Sequence, residues 1–461
     1  MRARKSWNVN SSSYAKNTFN PIRHIVENLQ IVPHPDKPLI ALSVGDPTVF
    51  GNLKPAKEIT EAVVEAIQSG KFNGYGPCTG FGEAKEAVAR YCSIPGSLEL
   101  DAKDIVLCSG CSCALDLCIT ALCSPGQNIL VPRPGFPIYK TLAECLSIGT
   151  KYYDLQPEKN WEVDLAMLEE MIDDNTAAIV VNNPSNPCGS VYSAQHLRAI
   201  LEVAARNKVP IIADEIYENF VFEGEEYHAM ASLTEEVPVL SCGGLTKRFL
   251  VPGWRLGWIA ICDRGNVFDA EVRQALLALS QRIIGSSTLV QGALPAILAN
   301  TPKEFFADTV SQIQTNAKMC YNFLRDVPGL SPVMPQGAMY MMVGVDMSGF
   351  HKFSNDLELV EKLINEESVF CLPGKCFDYP NYVRLVLTVP LEQLREACNR
   401  ISAFCKRHYH AINGHSNGMT FDSYSGRNHE VNGHGEQAAT RAFAKVTSLE
   451  KPCIVSQIEA E

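Results

Sequence analysis

Short apolar runs and amphipathic stretches take turns through the middle of this chain, and that alternation restricts the fold more than any other feature. "DIVLC" at 104–108 precedes a helix-like 112–122, "QNILV" precedes 138–147, "TAAIVV" precedes 193–207, and "VPIIAD" leads into "EIYENFVF". Runs rich in Val, Ile and Leu suit strands buried on both faces, and an intervening helix lets successive strands lie parallel. The expected fold is α/β, with a large domain whose mostly parallel sheet is flanked by helices. From about residue 302 the pattern changes to a long helical segment at 302–325, "GAMYMMVGV", a helical 356–366, "VFCLP", "NYVRLVLTV" and a last helix ending near 407. This predicts a smaller α+β domain.

The expected division is a flexible N-terminal tail at 1–15, a segment at 16–60 packing with the small domain, the large domain at 61–301, the small domain at 302–410 and a disordered tail at 411–461. The last of these is rich in Gly, Asn, Ser and His and has no periodicity. A chain of 461 residues with a net charge of -11 and a pI near 5.5 carries no electrostatic footprint for nucleic acid or an anionic membrane. No apolar run approaches the roughly 20 residues that span a bilayer, and the first residues lack the apolar core of a secretory signal. A cytoplasmic protein is expected, although the basic first sixteen residues are also compatible with a poor mitochondrial transit peptide. The 17 cysteines read as reduced thiols, mostly packed in the core, and no metal site is expected.

In open α/β sheets the ligand crevice lies outside the carboxyl ends of the strands. Several polar residues fall at such ends. Asp214 ends "PIIAD", Tyr217 follows it, and Asn186 lies in "NNPSNPCG" after "AAIVV". Phe136 lies in "PRPGFPIY" after another strand. The loop "SGCS", with Gly110, Cys111 and Ser112, follows "DIVLC" and opens a helix, so its N–H groups suit a phosphate. Lys247 and Arg255 stand in "SCGGLTKRFLVPGWRLGW", where small residues leave room around the lysine. Taken singly, each is ordinary: a turn acid, a helix cap, a core aromatic, a surface cation. Together they supply what pyridoxal phosphate requires. Lys247 provides an amine for the aldehyde, Asp214 a carboxylate for the ring nitrogen, and Tyr217 and Asn186 contacts to the phenolic oxygen. Phe136 provides a stacking face, and Arg255 with the 109–112 loop a phosphate cup.

The segments "SVGDP", "NGYGPCTG", "SGCS", "PRPGF", "NNPSNPCG", "ADEIY", "GGLTKRFLVPGWRLGW" and "YVRL", in that order, resemble the fold type I pyridoxal-phosphate aminotransferases. "KTLAE", "NPSNPCGS", "LVPGWRLGW" and "VQGAL" are similar to the tyrosine-transaminating branch of that family in animals, over roughly residues 15–410. The resemblance implies pyridoxal 5'-phosphate as cofactor and a homodimer with shared active sites, in which Tyr75 reaches the phosphate of the partner's cofactor. It also implies that Arg384 clamps the substrate α-carboxylate, that Gly45 and Asn186 lie beside the substrate, and that L-tyrosine and 2-oxoglutarate are exchanged for 4-hydroxyphenylpyruvate and L-glutamate. One departure is Gly244, three positions before the lysine, where many relatives carry a hydroxyl that contacts the phosphate. Carbon–sulfur lyases and aminocyclopropane-carboxylate synthases use the same constellation and are the nearest rivals. A dinucleotide-binding oxidoreductase, suggested by "GYGPCTGFG", lacks the preceding strand that such a fingerprint requires. A non-catalytic regulator that has kept the fold would append a DNA-binding module, and no such segment is present.

Overall fold

The structure is a computed structural model and describes residues 7, 9–29 and 31–411. The tail expected at 411–461 lies, but for residue 411, outside these described residues, as do residues 1–6 and 8.

After the short strand β1 (Ile40–Ala41) the chain builds one eight-stranded sheet. Its strands are β2 (Ile105–Cys108), β3 (Asn128–Arg133), β4 (Gly149–Gln156), β5 (Glu162–Val163), β6 (Thr176–Asn182), β7 (Ile211–Asp214), β8 (Val239–Gly244) and β9 (Gly257–Cys262). The spatial order is β2-β9-β8-β7-β6-β3-β4-β5. Strands β4, β3, β6, β7 and β8 pair in parallel, and β9 is antiparallel to both β8 and β2. Because β9 opposes both neighbours, β2 runs with β8, and the carboxyl ends of β2, β3, β6, β7 and β8 share one edge.

Alternation along each strand explains why both faces are covered. Val180 and Ile212 belong to one apolar core, while Ile179, Val181, Ile211 and Ala213 belong to the other, on the opposite face. The helix Cys111–Leu122 packs over β7, β8 and β9 on the first face. The helix Gly82–Cys92 packs over β2 and β9 on the second, beneath Thr288–Asn300. From β3 the chain steps outward to β4, but after β6 it advances the other way to β7 and β8, so a topological switch point lies between β3 and β6.

A second, antiparallel sheet has the order β10-β11-β14-β13, from β10 (Leu330–Pro332), β11 (Tyr340–Val345), β13 (Leu372–Pro373) and β14 (Tyr382–Val386). Strand β12 (Val369–Phe370) pairs in parallel with β1. The helices Lys303–Leu324, Asp356–Glu367 and Leu391–His408 contact one another or these strands. The N-terminal helix Pro21–Asn28 starts on Asn20, whose side chain accepts from the Arg23 amide at 3.2 Å, and packs on the turn Gly374–Phe377. Such a cap satisfies an amide that has no partner within the helix. The 40–42 run then joins two parts of this region: Leu42 N–H donates to the Phe370 carbonyl, and the Leu42 carbonyl accepts from Val386.

The described cysteines are all free, and all but Cys78, Cys92 and Cys113 are buried. Among the described residues no helix is long and apolar enough to cross a membrane, and no cluster of His, Cys, Asp and Glu could hold a metal ion.

Candidate active site

The shared edge of carboxyl ends brings most of the expected residues together. Lys247 follows β8, and its Nζ donates to the Gly45 carbonyl at 2.7 Å and lies 6.0 Å from the centre of the Tyr217 ring. Tyr217 follows β7 and is buried, with its hydroxyl 2.8 Å from that of Tyr340. The main chain of Asn186 is pinned to the sheet: its N–H donates to the Asn182 side chain at 2.7 Å, and Asn182 Nδ2 donates to the Asp214 carbonyl at 3.0 Å. Phe136 is half-buried after β3, with its ring edge-on to Tyr139.

Asp214, at the end of β7, is buried and ionically unusual. Burial pushes its carboxyl above the ordinary carboxylate range, although hydrogen bonds and the Lys247 charge oppose that shift. Oδ2 accepts from the Tyr139 hydroxyl at 2.6 Å, and Oδ1 from the Ile216 amide at 3.3 Å and from the Cys111 thiol at 3.6 Å. These donors fix the carboxylate's direction, but all are neutral. A protonated ring nitrogen against it would relieve the cost of burying the charge.

The 109–112 loop is built for close approach. Gly110 has φ +79° at the head of Cys111–Leu122, where a side chain would be strained and would run into the Arg255 guanidinium. A Cβ at Gly257 would stand 2.5 Å from the Gly110 carbonyl carbon and 2.7 Å from the Cys111 nitrogen. Arg255 donates to the carbonyls of Ser109 and Pro252, each at 3.0 Å. Ser112 is exposed, while Gly110 and Cys111 are buried. A cleft of about 440 Å³ opens beside this loop, lined in part by Ser109, Trp254, Arg255 and Ser286.

Arg384 arrives from the other sheet, on β14. It is 1 % exposed, yet its partners are neutral oxygens: Nη1 donates to Asn186 Oδ1 and Nη2 to the Ser43 carbonyl, both at 2.9 Å, while Nε has no partner. The guanidinium lies 4.2 Å from the centre of the Tyr340 ring and 5.0 Å from that of Phe377. A buried cation held by rings and carbonyls is suited to an incoming carboxylate. Tyr75 stands apart from this cluster, 92 % exposed.

Sequence reasoning missed Tyr139, Asn182, Tyr340, Phe377 and the Ser43 carbonyl. Asn182 ends a strand and is the first residue of the "NNPSNPCG" motif that contains Asn186, so a check of every strand end would have found it. The rings read as core in any local window. The residues present fit pyridoxal phosphate: a buried carboxyl lacking a cationic partner within hydrogen-bonding distance, a glycine-lined loop beside an arginine, a lysine at the same edge and a carboxylate-ready guanidinium.

A family model for aminotransferase class I and II matches residues 37–401. The chain belongs to the class I and II aminotransferases. This aminotransferase is 56 % identical to human tyrosine aminotransferase over 415 residues, 90 % of this chain and 91 % of that one. It is 36 % identical over 377 residues to an S-alkyl-thiohydroximate lyase of Arabidopsis thaliana, covering 81 % of each. The crystal structure of tyrosine aminotransferase from Leishmania infantum superposes with a TM-score of 0.84 at 36 % identity, over 88 % of this chain and 100 % of that one. The fold is that of the aspartate-aminotransferase-like enzymes, as the likeness to the Thermus thermophilus aspartate aminotransferase also indicates.

Proposed function

We propose that this aminotransferase uses pyridoxal 5'-phosphate to move the amino group of L-tyrosine to 2-oxoglutarate, giving 4-hydroxyphenylpyruvate and L-glutamate, as in tyrosine and phenylalanine catabolism. The observation that carries the cofactor reading is the meeting of Lys247, Asp214 and Arg384 at one edge, with Arg384 contributed by the second sheet. Tyrosine as substrate rests on the 56 % identity to a protein of that name.

The cofactor supplies an aldehyde that takes up the amino group and a ring that accepts the electron pair left behind by the α-proton. Lys247 would hold the cofactor's aldehyde carbon at rest, and its Nζ, once freed by the substrate amine, would take the proton from the substrate α-carbon and deliver it to that former aldehyde carbon. Asp214 would keep the ring nitrogen protonated. Asn186, whose oxygen accepts from Arg384, would have its NH2 group left to donate to the phenolic oxygen, and the Tyr217 hydroxyl would serve the same oxygen. Gly110, Cys111, Ser112 and Arg255 would hold the phosphate, Phe136 would cover the ring face, and Arg384, Asn186 and Gly45 would receive the amino acid. Two chains share the work: the exposed Tyr75 of each reaches the phosphate site of the other. No part is assigned to nucleic acid or membrane, and the protein works in the cytoplasm.

The test is a panel of amino acids with 2-oxoglutarate and purified protein. L-Tyrosine should give glutamate and 4-hydroxyphenylpyruvate in equal amounts, with ping-pong kinetics. A second reading, carbon–sulfur cleavage, is favoured only by the relationship to the thiohydroximate lyase. Thiol release without need of an oxo acid would establish that reading and overturn ours.

A further inference from the structure

The residues that follow Asp214, Tyr217 and Lys247 in the chain form a second polar layer behind the site. Glu215 accepts from the Met230 amide at 2.8 Å and from the Ser241 hydroxyl. Arg248 donates through Nη1 to the Tyr91 hydroxyl at 2.6 Å, and its guanidinium lies 4.3 Å from the centre of the Phe306 ring. Having accepted from Arg248, the Tyr91 hydroxyl keeps a proton of its own to donate. Glu218 Oε1 is buried without a hydrogen-bond partner.

The Arg248–Tyr91 hydrogen bond ties the Lys247 loop to a helix. Lys247 and Arg248 follow β8, whereas Tyr217 and Glu218 follow β7, and Tyr91 comes from the helix Gly82–Cys92 on the far face of the sheet. The Tyr91 ring is itself held edge-on to Trp258, with centroids 5.8 Å apart, and tilted against Phe249. On the site face, Lys247 Nζ and the Tyr217 ring are 6.0 Å apart. A lysine that must leave and regain the same carbon in each cycle needs its backbone fixed, since a misplacement of roughly 1 Å can cost about 100-fold in rate.

We infer that Tyr91 is a positioning residue for amino transfer: through Arg248 its hydroxyl holds the Lys247 loop to the helix Gly82–Cys92 from behind the site. The inference rests on Lys247 being the lysine that bonds the cofactor.

Tyr91→Phe in the holoenzyme removes the tie and keeps the ring packing. It should lower kcat about ten-fold with little change in KM for either substrate, and weaken the visible circular dichroism of the lysine-bound cofactor. Arg248→Leu should reproduce both effects, and combining the two substitutions should add nothing, because they cut one path. Arg248→Lys keeps a donor for the Tyr91 oxygen and should restore both readouts toward the parent. Parental kcat and dichroism in Tyr91→Phe, or fully additive losses in the double variant, overturn the inference; if Tyr91→Phe fails to fold, Arg248→Leu against Arg248→Lys decides it. Lys247→Ala serves as the separate control: if it keeps the cofactor's lysine-bound absorption band, the assignment of the lysine has failed, not that of Tyr91.

Discussion

Arg384 Nη1 donates to Asn186 Oδ1 at 2.9 Å, joining the strand β14 of the small antiparallel sheet to the loop beyond β6 of the large one. One guanidinium therefore links the two sheets through a side-chain hydrogen bond. It also orients the Asn186 amide, whose oxygen accepts and whose NH2 group is left to donate.

Arg384→Lys keeps the charge and loses the planar fork. Since every amino-acid and oxo-acid substrate carries the same carboxylate, both half-reactions should weaken together, by about 10- to 100-fold in kcat/KM if one charge-assisted hydrogen bond is lost. Single-turnover kinetics from each side check this. A loss confined to one half-reaction would remove Arg384 from the role.

Much of this is legible in the amino-acid sequence. "IIAD" and "AAIVV" read as buried strands because they are short, branched and bounded by turn residues, and the strand-end rule then pointed at Asp214 and Asn186. The two-residue pairing of β1 with β12 has no periodic signal, since Ile40–Ala41 is too short to show one. Strand β4, "GTKYYDLQ", carries Lys151 and Asp154 in ion pairs with Asp173 and Arg133, and so reads as a polar stretch rather than a strand. Tyr139, Tyr340 and Tyr91 escaped for a different reason. A buried tyrosine looks the same in sequence whether its hydroxyl meets a catalytic carboxylate, another phenol or a backbone carbonyl, as that of Tyr153 does at Val180.

Asp214→Ala should retain some cofactor through the phosphate loop yet lose about 100-fold or more in kcat, because the ring nitrogen would no longer be held protonated. The absorbance of bound cofactor, measured beside turnover, separates the two effects. Turnover near the parental value would refute the assignment.

Gly257→Ala tests the phosphate loop without touching a charge. The added carbon meets the backbone of Gly110 and Cys111 at 2.5 and 2.7 Å, and overpacking of this kind costs about 1–3 kcal/mol. Because the displaced atoms belong to the loop, cofactor dissociation should accelerate at least about ten-fold, equivalent to about 1.4 kcal/mol of binding. An unchanged cofactor affinity with reduced stability would place the phosphate elsewhere.

Glu215 offers a test by pH. Burial pushes its carboxyl from 4.5 to about 7, against the donors Ser241 and Met230. Between these values the folded protein holds a proton that the unfolded chain has released. The stabilisation from this group is therefore complete below about 4.5 and lost as pH rises through about 7, a change on the order of 3 kcal/mol. Glu215→Gln removes the titration, so its Tm should fall less than the parent's over this range. Parallel Tm-against-pH curves for the two proteins would contradict the shift.

Lys247 is the residue on which cofactor attachment turns. Reducing the holoenzyme with borohydride makes the bond between lysine and cofactor permanent, and mass mapping of the peptides then locates the pyridoxyl group. That group is expected on Lys247, in the peptide that also contains Arg248, when cleavage at the modified lysine is blocked. A pyridoxyl group on any other lysine, or on none, would contradict this assignment.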